Sequence, residues 1–271
     1  MKLAGIAYCP HNELMNFDFK LWAEGFVITK VLYYQLYDIT GYVGVLPHDD
    51  SIYYVLQGTD SVENAILDTM SILDHFDRFP GYNVYVHRGF EKTIEAIYED
   101  LHHEIKRLLD FYEDEGYGDI VKVKGTGHSL GGALAHLSAV ALAQDGIDVE
   151  LITFGSPKVG NGNFARLSDE LVPEHFRVVN YREFASRVPF AFMGYAHAGT
   201  EVYFEHDGSY RVCKEKQEDP TCSMQWPWPH QWSIADHMHY FDNISVFSYC
   251  TTVVEDQYDY DTHSWYGIVN Y

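Results

Sequence analysis

The pentapeptide Gly127-His128-Ser129-Leu130-Gly131 sets a serine between two glycines, after a run with strand character and before an Ala-rich run with helix character. Small flanking residues let the backbone turn sharply, so the serine Oγ projects from the carboxyl edge of a sheet toward a helix N-terminus. The chemistry this arrangement offers is nucleophilic attack by Ser129. A hydroxyl is a weak nucleophile alone, so it needs a base and a carboxylate that orients the base, and on such a sheet these follow in the order acid, then histidine. Of the acids after Ser129, Glu183 stands just past the apolar run Phe176 to Tyr181, at the edge where the serine emerges; most others fall in helices or surface loops. Among the 15 histidines, His237 in Ala235-Asp236-His237-Met238-His239 follows a Pro- and Trp-rich loop and precedes an apolar segment, as a loop-borne base should. His239 and His197 are its rivals.

Two other chemistries compete for the same stretches. Gly125-Thr126-Gly127 also lies between strand and helix, as in a dinucleotide-binding turn, but position 130 is Leu where a third glycine belongs, and Glu150 falls at the start rather than the end of the next strand. His102-His103-Glu104 and His237-x-His239 offer metal-binding side chains, yet neither matches a spacing such as His-Glu-x-x-His. No metal and no cofactor is expected.

The elements that must position these residues alternate along the chain. Val31 to Tyr37, Gly41 to Leu46 and Ser51 to Gln57 are rich in Val, Ile and Tyr, with a turn at His48-Asp49-Asp50, and predict a meander of strands. Val62, Ile66, Met70 and Leu73 recur at helical spacing, predicting a short amphipathic helix over Asp60 to Leu73. Tyr82 to His87 reads as a strand, and Phe90 to Asp114 as a long helix with Ile94, Ile97, Leu101, Ile105 and Leu108 as its stripe. Then strand Ile120 to Gly125, helix Gly131 to Gln144, strand Val149 to Phe154, helix Asn163 to Leu171 and strand Phe176 to Tyr181 follow in turn, an order that predicts a parallel sheet with helices on both faces. A hairpin around Asp207-Gly208 and a last helix over Phe241 to Tyr249 complete the reading. The fold class is α/β, mostly parallel with an antiparallel N-terminal part, in one domain over residues 1–271, with a Tyr- and Asp-rich peripheral tail over about 251–271.

Composition narrows the partners. With 18 Lys plus Arg against 40 Asp plus Glu, the formal net charge is -22, which excludes a nucleic-acid binder and an anionic lipid surface. Any interface this chain meets is neutral or zwitterionic. Hydrophobic residues at 46% rule out a disordered chain, and no run of about 18 apolar residues offers a transmembrane helix. The apolar stretch near Met1 is too short for an intact signal peptide and reads as a mature N-terminus preceded by an added Met. Three pairings can be drawn among the four cysteines. Cys213 and Cys222 flank a charged, Pro-containing loop while Cys9 and Cys250 stand near the two ends, which favours 213 with 222 and 9 with 250 in an oxidising compartment. Asn243-Ile244-Ser245 is a glycosylation sequon.

Taken together, Gly127-His128-Ser129-Leu130-Gly131-Gly132, Thr153-Phe154-Gly155-Ser156-Pro157-Lys158-Val159-Gly160-Asn161, Gln57-Gly58-Thr59, and Asp236-His237 followed by Tyr240-Phe241 resemble the class 3, fungal-type lipase family of α/β-hydrolases, over about Leu3 to Cys250. The resemblance implies that Ser129 is the nucleophile, His237 the base and Glu183 the orienting acid, with Thr59 and the Leu130 N–H as an oxyanion hole. It supports the two disulfides Cys9–Cys250 and Cys213–Cys222, and it implies a secreted ester hydrolase working at a lipid–water interface or on small esters; a monomer is expected. It further implies a lid over about residues 60–74, whose inner face would be Val62, Ile66, Met70 and Leu73. That apolar face favours a triacylglycerol lipase; a feruloyl esterase, a phospholipase A1 or a non-catalytic lipid- or protein-binding member of the fold are the alternatives. Three residues depart from the family pattern: Glu183 for Asp, Gln57 for Arg, and Ala65 for a lid Trp.

Overall fold

The computed structural model describes residues 1–20, 23–58, 73–80, 82–118, 120–214, 218–241 and 244–250, with short backbone ladders at Tyr258–Asp259 and Ser264–Trp265. Three consecutive strands open the central sheet, Val27–Tyr34 (β1), Ile39–Leu46 (β2) and Ser51–Leu56 (β3), and pair antiparallel as the meander predicts. Leu73–His75 (β4) and Tyr85–His87 (β5) pair with each other and lie outside that sheet. The parallel part is Lys122–His128 (β6), Val149–Phe154 (β7), His175–Asn180 (β9) and Thr200–Phe204 (β11), joined to β3, and Tyr210–Val212 (β12) closes the far edge as a hairpin with β11. The order across the eight strands is β1-β2-β3-β6-β7-β9-β11-β12. Gly160–Asn161 (β8) and Tyr195–Ala196 (β10) extend the β4/β5 pair into a four-stranded sheet.

Helices cover both faces, which is why the parallel strands carry apolar residues on either side. On one face the Arg88–Asp114 helix turns its Ile94, Ile97, Leu101, Ile105 and Leu108 stripe inward, each side chain contributing about 2 kcal/mol of apolar burial. Beside it the Leu130–Gln144 helix is buried from Gly131 to Leu142 on every side, as its Ala- and Leu-rich sequence allows. On the opposite face the Lys2–Ile6 helix packs Ile6 and Ala7 against Tyr42 and Val55, and Tyr249 joins the same cluster. The Cys9–Cys250 disulfide, with Cα atoms 5.0 Å apart, clasps the two ends of the described chain there, and Cys213–Cys222 closes the loop after β12.

Several local expectations are corrected. Leu73 opens β4, paired with His87, instead of closing a helix; Val62, Ile66 and Met70, like the rest of residues 60–72 of the lid expected over about 60–74, lie outside the described residues. The expected helix over Phe241 to Tyr249 is a short ladder, His239–Tyr240 with Ile244–Ser245, followed by a 3-10 turn at Val246–Cys250, because the β-branched and aromatic residues there pair and pack rather than wind. The strand expected from Tyr82 begins at Tyr85. β6 runs past Gly125 to His128, so it delivers Ser129 directly at the sheet edge. Among the described residues no helix is long and apolar enough to cross a membrane.

Candidate active site

Ser129 stands between β6 and the Leu130–Gln144 helix at φ 57°, ψ -129°, a conformation that costs a non-glycine residue on the order of 1–3 kcal/mol. The surroundings hold it there. Its N–H donates to the Phe154 carbonyl at 2.9 Å, and its own carbonyl accepts from Gly132 and Ala133. The glycines of the pentapeptide are steric necessities: a Cβ on Gly127 would meet the Gly131 carbonyl, and one on Gly131 would meet the main chain at Leu56 and Gln57.

Glu183 follows β9 in the turn where its N–H donates to the Asn180 carbonyl at 2.9 Å. His237 lies in the Ile234–Met238 helix, one short turn rather than the expected loop, capped by Ser233 Oγ, which accepts from the Asp236 N–H. These segments are tied together. The Ser233 N–H donates to the Arg182 carbonyl, and the Asn180 side-chain amide donates to the Asp236 and His239 carbonyls at 2.9 and 2.7 Å. The result is a continuous chain: Ser129 Oγ lies 3.0 Å from His237 Nε2, and His237 Nδ1 lies 2.7 Å from Glu183 Oε2. The carboxylate can only accept, so the imidazole carries its proton on Nδ1 and offers the Nε2 lone pair to the serine hydroxyl.

The second carboxylate oxygen, Glu183 Oε1, accepts the Asn180 N–H at 2.5 Å and the Tyr240 hydroxyl at 2.8 Å. Gly155, at φ 55°, makes room for this assembly, since a Cβ there would press on Glu183 Oε2, His237 Nδ1 and the Tyr240 hydroxyl together. His128 buttresses the base from behind: its Nε2 donates to the His237 carbonyl at 2.9 Å while its Nδ1 accepts the Tyr8 hydroxyl at 2.7 Å. Tyr8 precedes Cys9, so this prop starts beside the Cys9–Cys250 disulfide.

The centre is dry. Ser129, His237 and Glu183 are 6%, 1% and 0% exposed. Burial drives the His237 imidazolium pKa down to about 3, which keeps the ring an unprotonated base at neutral pH. Burial likewise pushes the Glu183 carboxyl up, and the Asn180 N–H and Tyr240 hydroxyl pull against that by bonding the charged form. His128 is held well below its usual range, first by burial and then by the neighbouring His237.

The other candidates fall elsewhere. His239 is bonded to the Ala235 carbonyl and His197 to the Ser186 carbonyl, away from the serine. Asp236 Oδ2 accepts the Arg182 N–H at 3.3 Å. Leu130 opens its helix, where the first N–H groups have no partner within the helix, beside Ser129. Thr59 lies outside the described residues. Among the described residues the one group of potential metal ligands is Glu201 with Cys213 and Cys222, and the two sulfurs are bonded to each other. Sequence reasoning missed Tyr8, Asn180 and Tyr240 as supports; their partners stand 120, 3 and 57 positions away, and only the Tyr240-Phe241 motif marked any of them.

The profile of the family described as Lipase (class 3) matches residues 53–193. The lipase of Rhizopus niveus is 30% identical over 251 residues, covering 89% of this chain and 61% of its own length, so the chain spans about three fifths of that relative. Among solved structures, lipase II from Rhizopus niveus superposes with a TM-score of 0.80 at 29% identity, over 90% of this chain and 93% of that one. A triacylglycerol lipase described as having a serine protease triad for its catalytic centre superposes at 0.78 and 28% identity, over 92% and 94%.

Proposed function

The chain belongs to the class 3 lipase family, and from that premise we propose that it is a secreted serine carboxylic ester hydrolase acting on acylglycerols. The observation that carries the reading is the buried relay from Ser129 through His237 to Glu183, at 3.0 and 2.7 Å. In this reading Ser129 Oγ attacks the ester carbonyl carbon as His237 Nε2 takes its proton, and the carbonyl oxygen becomes an oxyanion stabilised by the Leu130 N–H, with Thr59 in the role that the family resemblance gives it. Collapse of that intermediate breaks the ester C–O bond, and His237 returns the proton to the departing alcohol. Water then repeats the sequence on the acyl-enzyme, releasing the acid and restoring Ser129. Glu183 holds Nδ1–H and stabilises the imidazolium formed at each step.

The acylglycerol substrate is supported by the relatives' names and by the net charge of -22, which favours neutral substrates at neutral surfaces. Secretion is supported by the two disulfides. Ser129→Ala tests the mechanism: tributyrin hydrolysis should fall at least about 10^3-fold with the fold intact by circular dichroism. Turnover equal to the parent would sink it.

A further inference from the structure

The relay engages the side chain of Glu183, and a buried cation grips the main chain of the same residue. Arg187 closes the Ala185–Arg187 turn, four positions past Glu183, and is 4% exposed, where an unpaired guanidinium would be costly. Its contacts account for its burial. Nε donates to the Glu183 carbonyl at 3.4 Å, and Nη1 donates to the Ser223 and Trp226 carbonyls. The Arg187 carbonyl accepts Lys158 Nζ at 3.0 Å, so the backbone that carries the guanidinium is itself fixed.

The far end of this clasp is anchored too. Ser223 follows Cys222 of the Cys213–Cys222 disulfide, its N–H donates to Glu201 Oε1 at 2.9 Å, and Trp226 Nε1 donates to the Tyr203 hydroxyl at 3.0 Å. Glu201 Oε2 stands 3.6 Å from Arg177 Nη2, with the two side chains 2% and 3% exposed. Arg187 therefore joins the acid turn to β11 and to the disulfide loop.

The charges around it oppose one another. Burial raises the Glu183 carboxyl; the Asn180 N–H, the Tyr240 hydroxyl and then the Arg187 charge pull it down, while Glu201 adds to burial. Arg187 in turn faces Glu201, Glu183, the Tyr203 hydroxyl and Glu218, and Glu218 also lies 3.6 Å from Lys158 Nζ. On the other side of the relay the His237 ring faces Glu183 and His128.

We propose that Arg187 is a positioning residue for the relay, clasping the acid turn to the disulfide loop and sustaining the Glu183 carboxylate opposite His237 with its buried positive charge. The inference rests on the ester-hydrolase reading of the same site. Arg187 acts through Glu183, so its loss should appear in kcat and in the pH profile, whereas a merely structural clamp would lower stability and leave the pH profile in place.

The whole chain carrying Arg187→Met, Arg187→Lys or Glu201→Gln is assayed across pH on dissolved p-nitrophenyl butyrate, with p-nitrophenol quantified by chromatography and thermal unfolding followed beside it. Glu183 and His237 titrate as a unit, and removing a nearby cation eases proton uptake by that unit. Arg187→Met should lower kcat about tenfold or more with KM unchanged, and raise the midpoint of the acid limb by about one pH unit or more. Arg187→Lys loses the forked contacts and keeps the charge, so it should lose stability with its midpoint near the parent's. Glu201→Gln removes a negative charge and keeps an oxygen for the Ser223 N–H, so it should move the midpoint the opposite way, and it carries the test if Arg187→Met does not fold. Unmoved midpoints in Arg187→Met and Glu201→Gln, or a Lys variant shifted as far as the Met variant, would overturn the proposal. A 15N NMR titration of His237 reads the same midpoint without substrate, so a parent inactive on esters would refute the ester-hydrolase reading alone.

Discussion

Glu183→Gln separates geometry from charge at the site. Oε1 is fixed as an acceptor by two donors, the Asn180 N–H at 2.5 Å and the Tyr240 hydroxyl at 2.8 Å. An amide that keeps its oxygen there must turn its NH2 toward His237 Nδ1, now 2.7 Å away. That forces the imidazole proton onto Nε2, opposite Ser129 Oγ, and removes the base. The flipped amide restores Nδ1–H but sets NH2 against the Asn180 main-chain donor, which cannot move, forfeiting that buried hydrogen bond at about 1–3 kcal/mol while the Tyr240 hydroxyl turns to accept. Adding the lost attraction between carboxylate and imidazolium gives about 5 kcal/mol in the transition state, a factor of roughly 10^3–10^4 in kcat. The assay is initial-rate hydrolysis of dissolved p-nitrophenyl butyrate, with thermal unfolding as the check on folding. Asp236→Asn, which touches only the Arg182 N–H, should stay within about threefold of the parent. A Glu183→Gln enzyme within about tenfold of the parent, or a larger loss at Asp236, would refute the reasoning.

The disulfides should differ in weight: Cys9 and Cys250 are 241 positions apart and Cys213 and Cys222 only 9, so loop-closure entropy assigns them about 5.5 and about 2.5 kcal/mol. Thermal unfolding of the paired Cys→Ser variants should therefore show the larger fall for Cys9/Cys250, and a larger fall for the short loop would contradict the ranking. Acid should destabilise the fold. Burial holds His136 and His237 at about 3 against 6.5 unfolded, and His128 and His197 well below it, so the unfolded chain binds more protons and stability drops as pH falls from 6.5 toward 3. Glu91, raised to about 7 by burial, and Glu183, pushed up by burial, act in the opposite sense above pH 4.5, which leaves four histidines against two carboxyls. Unfolding midpoints by calorimetry should fall between pH 6.5 and 4, and a midpoint that rises on acidification would refute this sign.

The strands and long helices were legible because one physical rule sets each of them. Runs of Val, Ile and Tyr marked β1 to β3, and the stripe from Ile94 to Leu108 marked the long helix within two residues of its start. Leu73 was misread because three preceding apolar residues fit a helical period, while its actual partner, His87, is set by pairing that no local window contains. Ile244–Ser245, taken into the expected helix over Phe241 to Tyr249, was misread for the same reason, since its partner is His239–Tyr240. At the site, the glycines around Ser129 announced a turn, and chain order with strand position singled out Glu183 and His237. What holds them was silent in the sequence. Tyr8 and Tyr240 act through one hydrogen bond each and Asn180 through three, all made in three dimensions, and a tyrosine that props a buried histidine has the same sequence signature as one that fills a core.

The most direct measurement is covalent: treat the protein with a p-nitrophenyl alkylphosphonate, which mimics the attacked ester, and locate the adduct by peptide mass spectrometry. The account predicts one phosphonyl group on Ser129, appearing in step with the loss of ester hydrolysis and strongly slowed in His237→Ala. Full hydrolytic activity with Ser129 modified, or inactivation with the adduct on another residue, would contradict it.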